Sequence, residues 1–168
     1  ARRPDKAGDL AATGVSLVQG DVTEPESLRK PLEGADGVFH VAGWYQLGVR
    51  DTTLAQRINV DGTRNVLEMM RDLRIPKGVY TSTVAVFGDT AGQLVDETYY
   101  KDGPWLSEYD RTKWLAHYEV ADPLIRQGLP LVIVQPGLVY GPGDAGPSGE
   151  TLRSYLRRRL PMIPRGSA

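Results

Sequence analysis

Four short apolar runs, separated by segments long enough for a helix, constrain this chain more than any other feature. They are VSLVQGDV (15–22), GVFHVAG (37–43), KGVYTSTVAVFG (77–88) and PLVIVQP (130–136). GVFHVAG is nearly continuous in apolar residues, the pattern of a strand buried on both faces. Between the runs the spacing turns helical. PDKAGDLAATG, ahead of the first run, reads as helix. In TEPESLRKPLEG, Thr23 and Glu26 stand at capping-box spacing and predict a short helix. Leu54, Ile58, Val66, Leu67, Met70 and Leu73 keep one helical face over about 53–73. Gly62 inside that helix costs about 1 kcal/mol against Ala, so close packing against a neighbour is expected there. Ser107 and Asp110 are cap candidates for a helix to about 127, with a break expected near Pro123. A last helix, about 149–160, carries Leu152, Tyr155, Leu156 and Leu160 on one face. Strands alternating with helices make right-handed βαβ units, an α/β fold with a parallel sheet.

A length of 168 residues suits one domain with a sizeable core. No internal repeat or low-complexity tract divides it. The net charge of −1 gives no reason to expect a nucleic-acid partner. The absence of cysteine removes disulfides, thiolate metal sites and cysteine nucleophiles together, and no other metal-ligand spacing is present. No apolar run approaches the roughly 20 residues that span a bilayer, and no secretory signal is visible. The expected location is cytoplasmic, with no membrane partner.

The chemistry candidates begin with YDRTK. Tyr109 and Lys113 are four apart and share one helix face. An ammonium beside a phenol favours the phenolate, so this tyrosine's pKa is expected to fall from about 10 toward the range of a general acid or base. The spacing alone is weak. With 8 tyrosines and 5 lysines in the chain, a solvated helix face is the favoured reading on spacing alone. Ser82 and Thr83 lie where a core strand nears its carboxyl end, the side on which open parallel sheets bind ligands. Strand-end hydroxyls also satisfy local backbone groups. Asn59 is unfavourable mid-helix unless bonded, and serves either a polar network or a structural bond. In QPGLVYGPGD, Pro136 and Gly137 turn the chain sharply at the sheet edge, as a binding loop or an ordinary turn. Arg2 and Arg3 could hold a phosphate or simply lie on the surface. His40 reads as a satisfied core residue, and His117 forms no catalytic or metal spacing. Asp96 and Glu97 open a loop. RSYLRRRLP reads as an amphipathic helix.

Taken in order, ARRPDK, GDVTEPESL, GVFHVAGWY, NVDGTRNVLE, YTSTVAVFG, SEYDRTKWLAH and PGLVYGPGD resemble the extended short-chain dehydrogenase/reductase family. The closest likeness is to its NAD-dependent epimerase/dehydratase and dihydroflavonol-reductase-like branch. The resemblance covers nearly the whole chain. It implies that Tyr109 is the catalytic acid/base, that Lys113 lowers its pKa and bonds the nicotinamide ribose, and that Thr83 orients the substrate oxygen, with Ser82 beside it. It ties Asn59 to the proton relay. It places Asp21 and Val22 at the adenine and Val41, Ala42, Gly43 and Thr81 along the cofactor. Pro136, Gly137 and Val139 fall beside the nicotinamide. Arg2, with Arg3 next to it, falls where NADP-preferring members hold a 2′-phosphate, so NADP is favoured slightly over NAD. Trp44 and Tyr45, with Tyr99 and Tyr100 from the long loop, are expected to line the near side of a small-molecule substrate pocket. A homodimer through the 53–73 and 107–127 helices is the expected assembly.

The departures matter too. The family's opening strand, glycine-rich turn and helix are not in this sequence, nor is its C-terminal substrate domain. The expected fold is therefore an incomplete Rossmann-like doubly wound sheet, strands 3–6 of the family order. Residues 1–147 form a partial NAD(P)-binding domain, and 148–168 begin the substrate-binding region. Val84 and Ala85 stand where family sugar dehydratases carry an Asp–Glu pair, which argues against dehydration. The implied function is an NAD(P)-dependent oxidoreductase. The alternatives are a sugar-nucleotide epimerase and a non-catalytic dinucleotide sensor or scaffold. With strands 1 and 2 absent, the 37–43 strand is left an unpaired edge. The isolated chain is expected to fold poorly, or to hold 15–22 displaced or re-paired, and to be inactive.

Overall fold

A computed structural model describes residues 1–46, 50–144 and 146–160. The predicted 148–168 segment therefore lies partly outside the described residues. Three strands form one parallel sheet in chain order: β1 (Val38–His40), β2 (Gly78–Thr81) and β3 (Leu131–Val134). Val38 pairs with Gly78, and Gly78 with Leu131. The α/β class and the parallel sheet agree with the sequence pattern.

The pleat sends alternate residues to opposite faces. Val38, Tyr80 and Leu131 join Leu28, Leu67, Met70 and Val120 in one buried cluster. On the other face Phe39 is 77% exposed and Val132 61% exposed. The 37–43 run is thus buried on one face, not two, because the helices that supply the core pack on the same side.

The fourth expected strand does not form. Residues 15–22 carry no strand pairing. The backbone at Val18 and Gly20 bonds instead to Ala1, at 2.6 and 3.1 Å. Asp21 then draws the chain into a turn, accepting from both the N–H and the hydroxyl of Thr23. That carboxylate displaces the expected capping box. Helix α2 (Glu26–Leu32) starts after Pro25 with no side-chain cap. Upstream, PDKAGDLAATG divides into a 3₁₀ turn, Pro4–Lys6, and a short helix α1, Gly8–Ala11.

The helix expected over 53–73 runs as α3 (Thr53–Ala55), a π segment (Gln56–Asp61) and α4 (Gly62–Asp72). A Cβ on Gly62 would meet Val22 Cγ2 at 2.8 Å, so the glycine does mark a close approach. The strand expected over 77–88 stops at Thr81. Thr83 caps a 3₁₀ turn, Val84–Phe87, by accepting from the N–H of Ala85. After a long loop come α5 (Glu108–Trp114), a π segment (Leu115–Ala121) and α6 (Asp122–Arg126). Ser107 caps α5 as expected, accepting from the N–H of Asp110. The break expected at Pro123 appears as a change of helix type, the wide π turns giving way to α6 beside the proline. Helix α7 (Pro147–Leu156) leaves Tyr155 and Leu156 exposed. Among the described residues, no helix is long and apolar enough to cross a membrane.

Candidate active site

Two clefts open along the carboxyl ends of the strands, and they meet at Gly43. The first, about 390 Å³, is walled by Val22, Leu28 and Ile58 and edged by Arg2, Asp21 and Ala42. The Asp21 carboxyl is held below its usual range, chiefly by the Thr23 N–H, with smaller help from Arg2 and Arg57. The second, about 240 Å³, brings together Tyr45, Thr81, Thr83, Tyr109, Lys113 and Gly137. Val41, Trp44, Ser82 and Pro136 complete its lining. The segments that follow β1 and β3 thus converge with the end of β2 and with α5 at one edge of the sheet.

The Ser107 cap fixes the start of α5 and with it the place of Tyr109 in the first turn. The Tyr45 ring meets the Tyr109 ring edge-on at 4.8 Å. Lys113, one turn on, is only 4% exposed. Its Nζ donates to the Thr81 carbonyl at 2.8 Å and to the Tyr80 hydroxyl at 3.2 Å. Burial lowers the Lys113 pKa to about 8. The expected lowering at Tyr109 is not found. Burial raises its pKa, and the Thr83 hydroxyl offsets this only in part. The physical reason is the direction of the ammonium, which is bonded into strand β2 rather than to the phenol.

Ser82 lines the second cleft but is buried, and its hydroxyl is engaged with His117 Nδ1 at 2.8 Å. Asn59 lines neither cleft. Its Oδ1 accepts from the Trp44 N–H at 2.7 Å, and its Nδ2 donates to the Trp44 carbonyl and to the Thr112 hydroxyl. It therefore pins the backbone that carries Trp44 and Tyr45 to helix α5. His40 is the satisfied core residue the sequence suggests, bonded through Nε2 to Thr63 Oγ1 at 2.9 Å.

Some expected site residues lie elsewhere. Arg3 is on the surface beside Asp5, 3.5 Å away. Val139 is 74% exposed and lines neither cleft. Tyr99 packs on Phe87, and Tyr100 on Trp114 and Tyr118, and neither ring lines the cleft. For Tyr100, apolar contact with Trp114 and Tyr118 draws the ring to α5 and the π segment after it. Sequence reasoning also passed over Tyr80 and Thr63, and it discounted His117. No local spacing links them, because their partners lie on other elements.

A profile of the NAD dependent epimerase/dehydratase family matches residues 1–161. A Synechocystis sp. protein provisionally named dihydroflavonol 4-reductase is 37% identical over 163 residues, 95% of this chain and 46% of that protein. The chain thus spans about half the length of this relative. The crystal structure of gox2253 superposes with a TM-score of 0.80 at 30% identity, covering 92% of this chain and 48% of that one. UDP-glucose 4-epimerase from Brucella ovis, solved in complex with NAD, gives a TM-score of 0.61 at 27% identity over 70% of this chain and 37% of its own. With the profile spanning nearly every residue and the parallel sheet in place, the chain belongs to the NAD dependent epimerase/dehydratase family.

Proposed function

We propose that the full-length protein is an NAD(P)-dependent oxidoreductase acting on a carbonyl or alcohol carbon of a small molecule. The observation that carries this reading is the meeting of the two clefts at Gly43. One cleft suits the adenosine end of a dinucleotide, and the other gathers proton-transfer groups where its far end would lie. The residues fit the group. Val22, Leu28 and Ile58 give flat apolar walls, the Asp21 carboxylate offers an acceptor at the edge, and Arg2 offers a cation for a 2′-phosphate. NADP is therefore the favoured form, with NAD second. The likeness to the Brucella ovis structure in complex with NAD supports a nicotinamide dinucleotide.

A bound nicotinamide supplies hydride exchange with the substrate carbon. The chain's own part is to position and to move a proton. The Thr83 hydroxyl donates to the substrate oxygen. Tyr109 gives that oxygen a proton in reduction or takes it in oxidation. Lys113 places a positive charge in the same cleft and favours the phenolate once it faces the phenol. The Tyr45 ring packs on Tyr109 and narrows the approach.

A sugar-nucleotide epimerase is the second reading, favoured by the likeness to UDP-glucose 4-epimerase. One assay separates them. The full-length protein is mixed with NADP(H) or NAD(H) and a panel of ketones, aldehydes and sugar nucleotides, and nicotinamide absorbance is followed. Stoichiometric net oxidation or reduction supports the oxidoreductase. Substrate inversion with no net absorbance change would establish the epimerase instead.

A further inference from the structure

Tyr80 stands in the middle of β2, 0% exposed, with no place in the proton transfer above. A phenylalanine would fill the same volume without a hydroxyl to satisfy, so the oxygen calls for an explanation. Its ring stacks on His40 at 5.4 Å and 17°. Lys113 Nζ sits 4.7 Å from the ring centroid and donates to the hydroxyl at 3.2 Å. His40 is itself held through Nε2, which lies 2.9 Å from Thr63 Oγ1.

Proton counting orients the Lys113 bond. The ammonium has only hydrogens to give, so the Tyr80 oxygen accepts from it. The ring that carries this oxygen is backed by the His40 imidazole, whose Nε2 pairs with Thr63 Oγ1. Burial, reinforced by the Lys113 charge, keeps His40 neutral by pushing its pKa down to about 4, so no second cation opposes the ammonium. Burial likewise raises the Tyr80 pKa, so the phenol stays neutral. Four elements meet here: β1 through His40, β2 through Tyr80, α4 through Thr63 and α5 through Lys113.

We propose that Tyr80, its ring stacked on His40, is a positioning residue that sets where the Lys113 ammonium stands in the catalytic cleft. The proposal rests on the reading of Tyr109 and Lys113 given above. The titratable groups around Lys113 are Tyr80 on β2, Tyr109 on its own helix, His40 on β1 and His117 on the π segment. Of these, only Tyr80 bonds the ammonium through its side chain among the described residues.

The test is Tyr80→Phe in the full-length protein, which keeps the ring and removes the acceptor. The first readout is ¹³C NMR titration of lysine Cε carbons without cofactor, with the Lys113 signal assigned by its loss in Lys113→Arg. Loss of one charge-assisted bond lowers the Lys113 titration midpoint by about one pH unit. The second is the pH profile of turnover, whose alkaline limb moves down by the same amount. An unchanged midpoint and profile overturn the proposal. If Tyr80→Phe does not fold, 3-fluorotyrosine placed site-specifically at position 80 keeps the ring and weakens the oxygen as an acceptor. It should give a smaller fall in the same direction, and no fall overturns the proposal equally. Tyr109→Phe separates the two readings. Turnover surviving there defeats the catalytic assignment while leaving the Lys113 titration to judge Tyr80 on its own.

Discussion

At the scale of single residues, Asn59 shows what a sequence reveals and what it hides. An amide in the middle of an apolar helix is conspicuous, and its need for partners follows from composition alone. The identity of those partners does not. Trp44 is 15 positions away and Thr112 is 53 away, and only the packed fold joins them. Replacing Asn59 by Ala strands the backbone groups of Trp44 in a buried site. We expect roughly 2–3 kcal/mol of lost stability, read from the urea midpoint, with a shift in tryptophan emission as the Trp44 loop loosens. A loss below about 0.5 kcal/mol would mean the bonds are not what holds that loop. Ser82 teaches the same lesson from the other side. Its strand-end position was legible, but its engagement with His117, 35 residues on, was not.

At the scale of elements, helical spacing located the 53–72 and 108–126 runs well, because one wide apolar face packs on one sheet face. It could not show that both contain π segments, whose side-chain periodicity barely differs over six or seven residues. The strand signals were weaker. VSLVQGDV has the composition of a strand, yet a strand is made by its neighbours, and 15–22 finds single bonds to Ala1, Ser27 and Asn65 in place of a paired strand. In KGVYTSTVAVFG the Thr83 cap turns an apolar run into a 3₁₀ turn after four strand residues. Gly62 gives a sharp test of element packing. Glycine to alanine in a helix ordinarily gains about 1 kcal/mol. Here the new methyl meets Val22, so Gly62→Ala should destabilise by about 1–3 kcal/mol. The double variant Gly62→Ala/Val22→Ala should recover part of that loss in the same unfolding assay. A more stable single variant would contradict the close approach.

At the scale of the whole molecule, the sheet's order and the edge where its clefts open were readable from the βαβ rhythm, but its one-sidedness was not. Phe39 and Val132 look like core residues in sequence and stand exposed in the fold. The two histidines set a global pH dependence. Burial pushes His40 and His117 down to about 4 from the ordinary 6.5. Between those pH values the unfolded chain binds protons that the folded chain refuses, so stability rises with pH across the window and is lost toward pH 4. For the well-buried His40 the full effect is roughly 3 kcal/mol. Carboxylates such as Asp21 titrate lower and act below this window. Unfolding midpoints measured from pH 4 to 7 should therefore climb, and a flat profile would mean the imidazoles are solvated. The central claim is that Tyr109 moves the substrate proton in a cleft continuous with the dinucleotide site. Its most direct test compares the full-length protein with its Tyr109→Phe variant, measuring nicotinamide dinucleotide affinity by titration and turnover by nicotinamide absorbance. We predict turnover lowered by about 10²–10⁴-fold with affinity within a few-fold of the parent. Turnover retained at the parental rate would contradict the account.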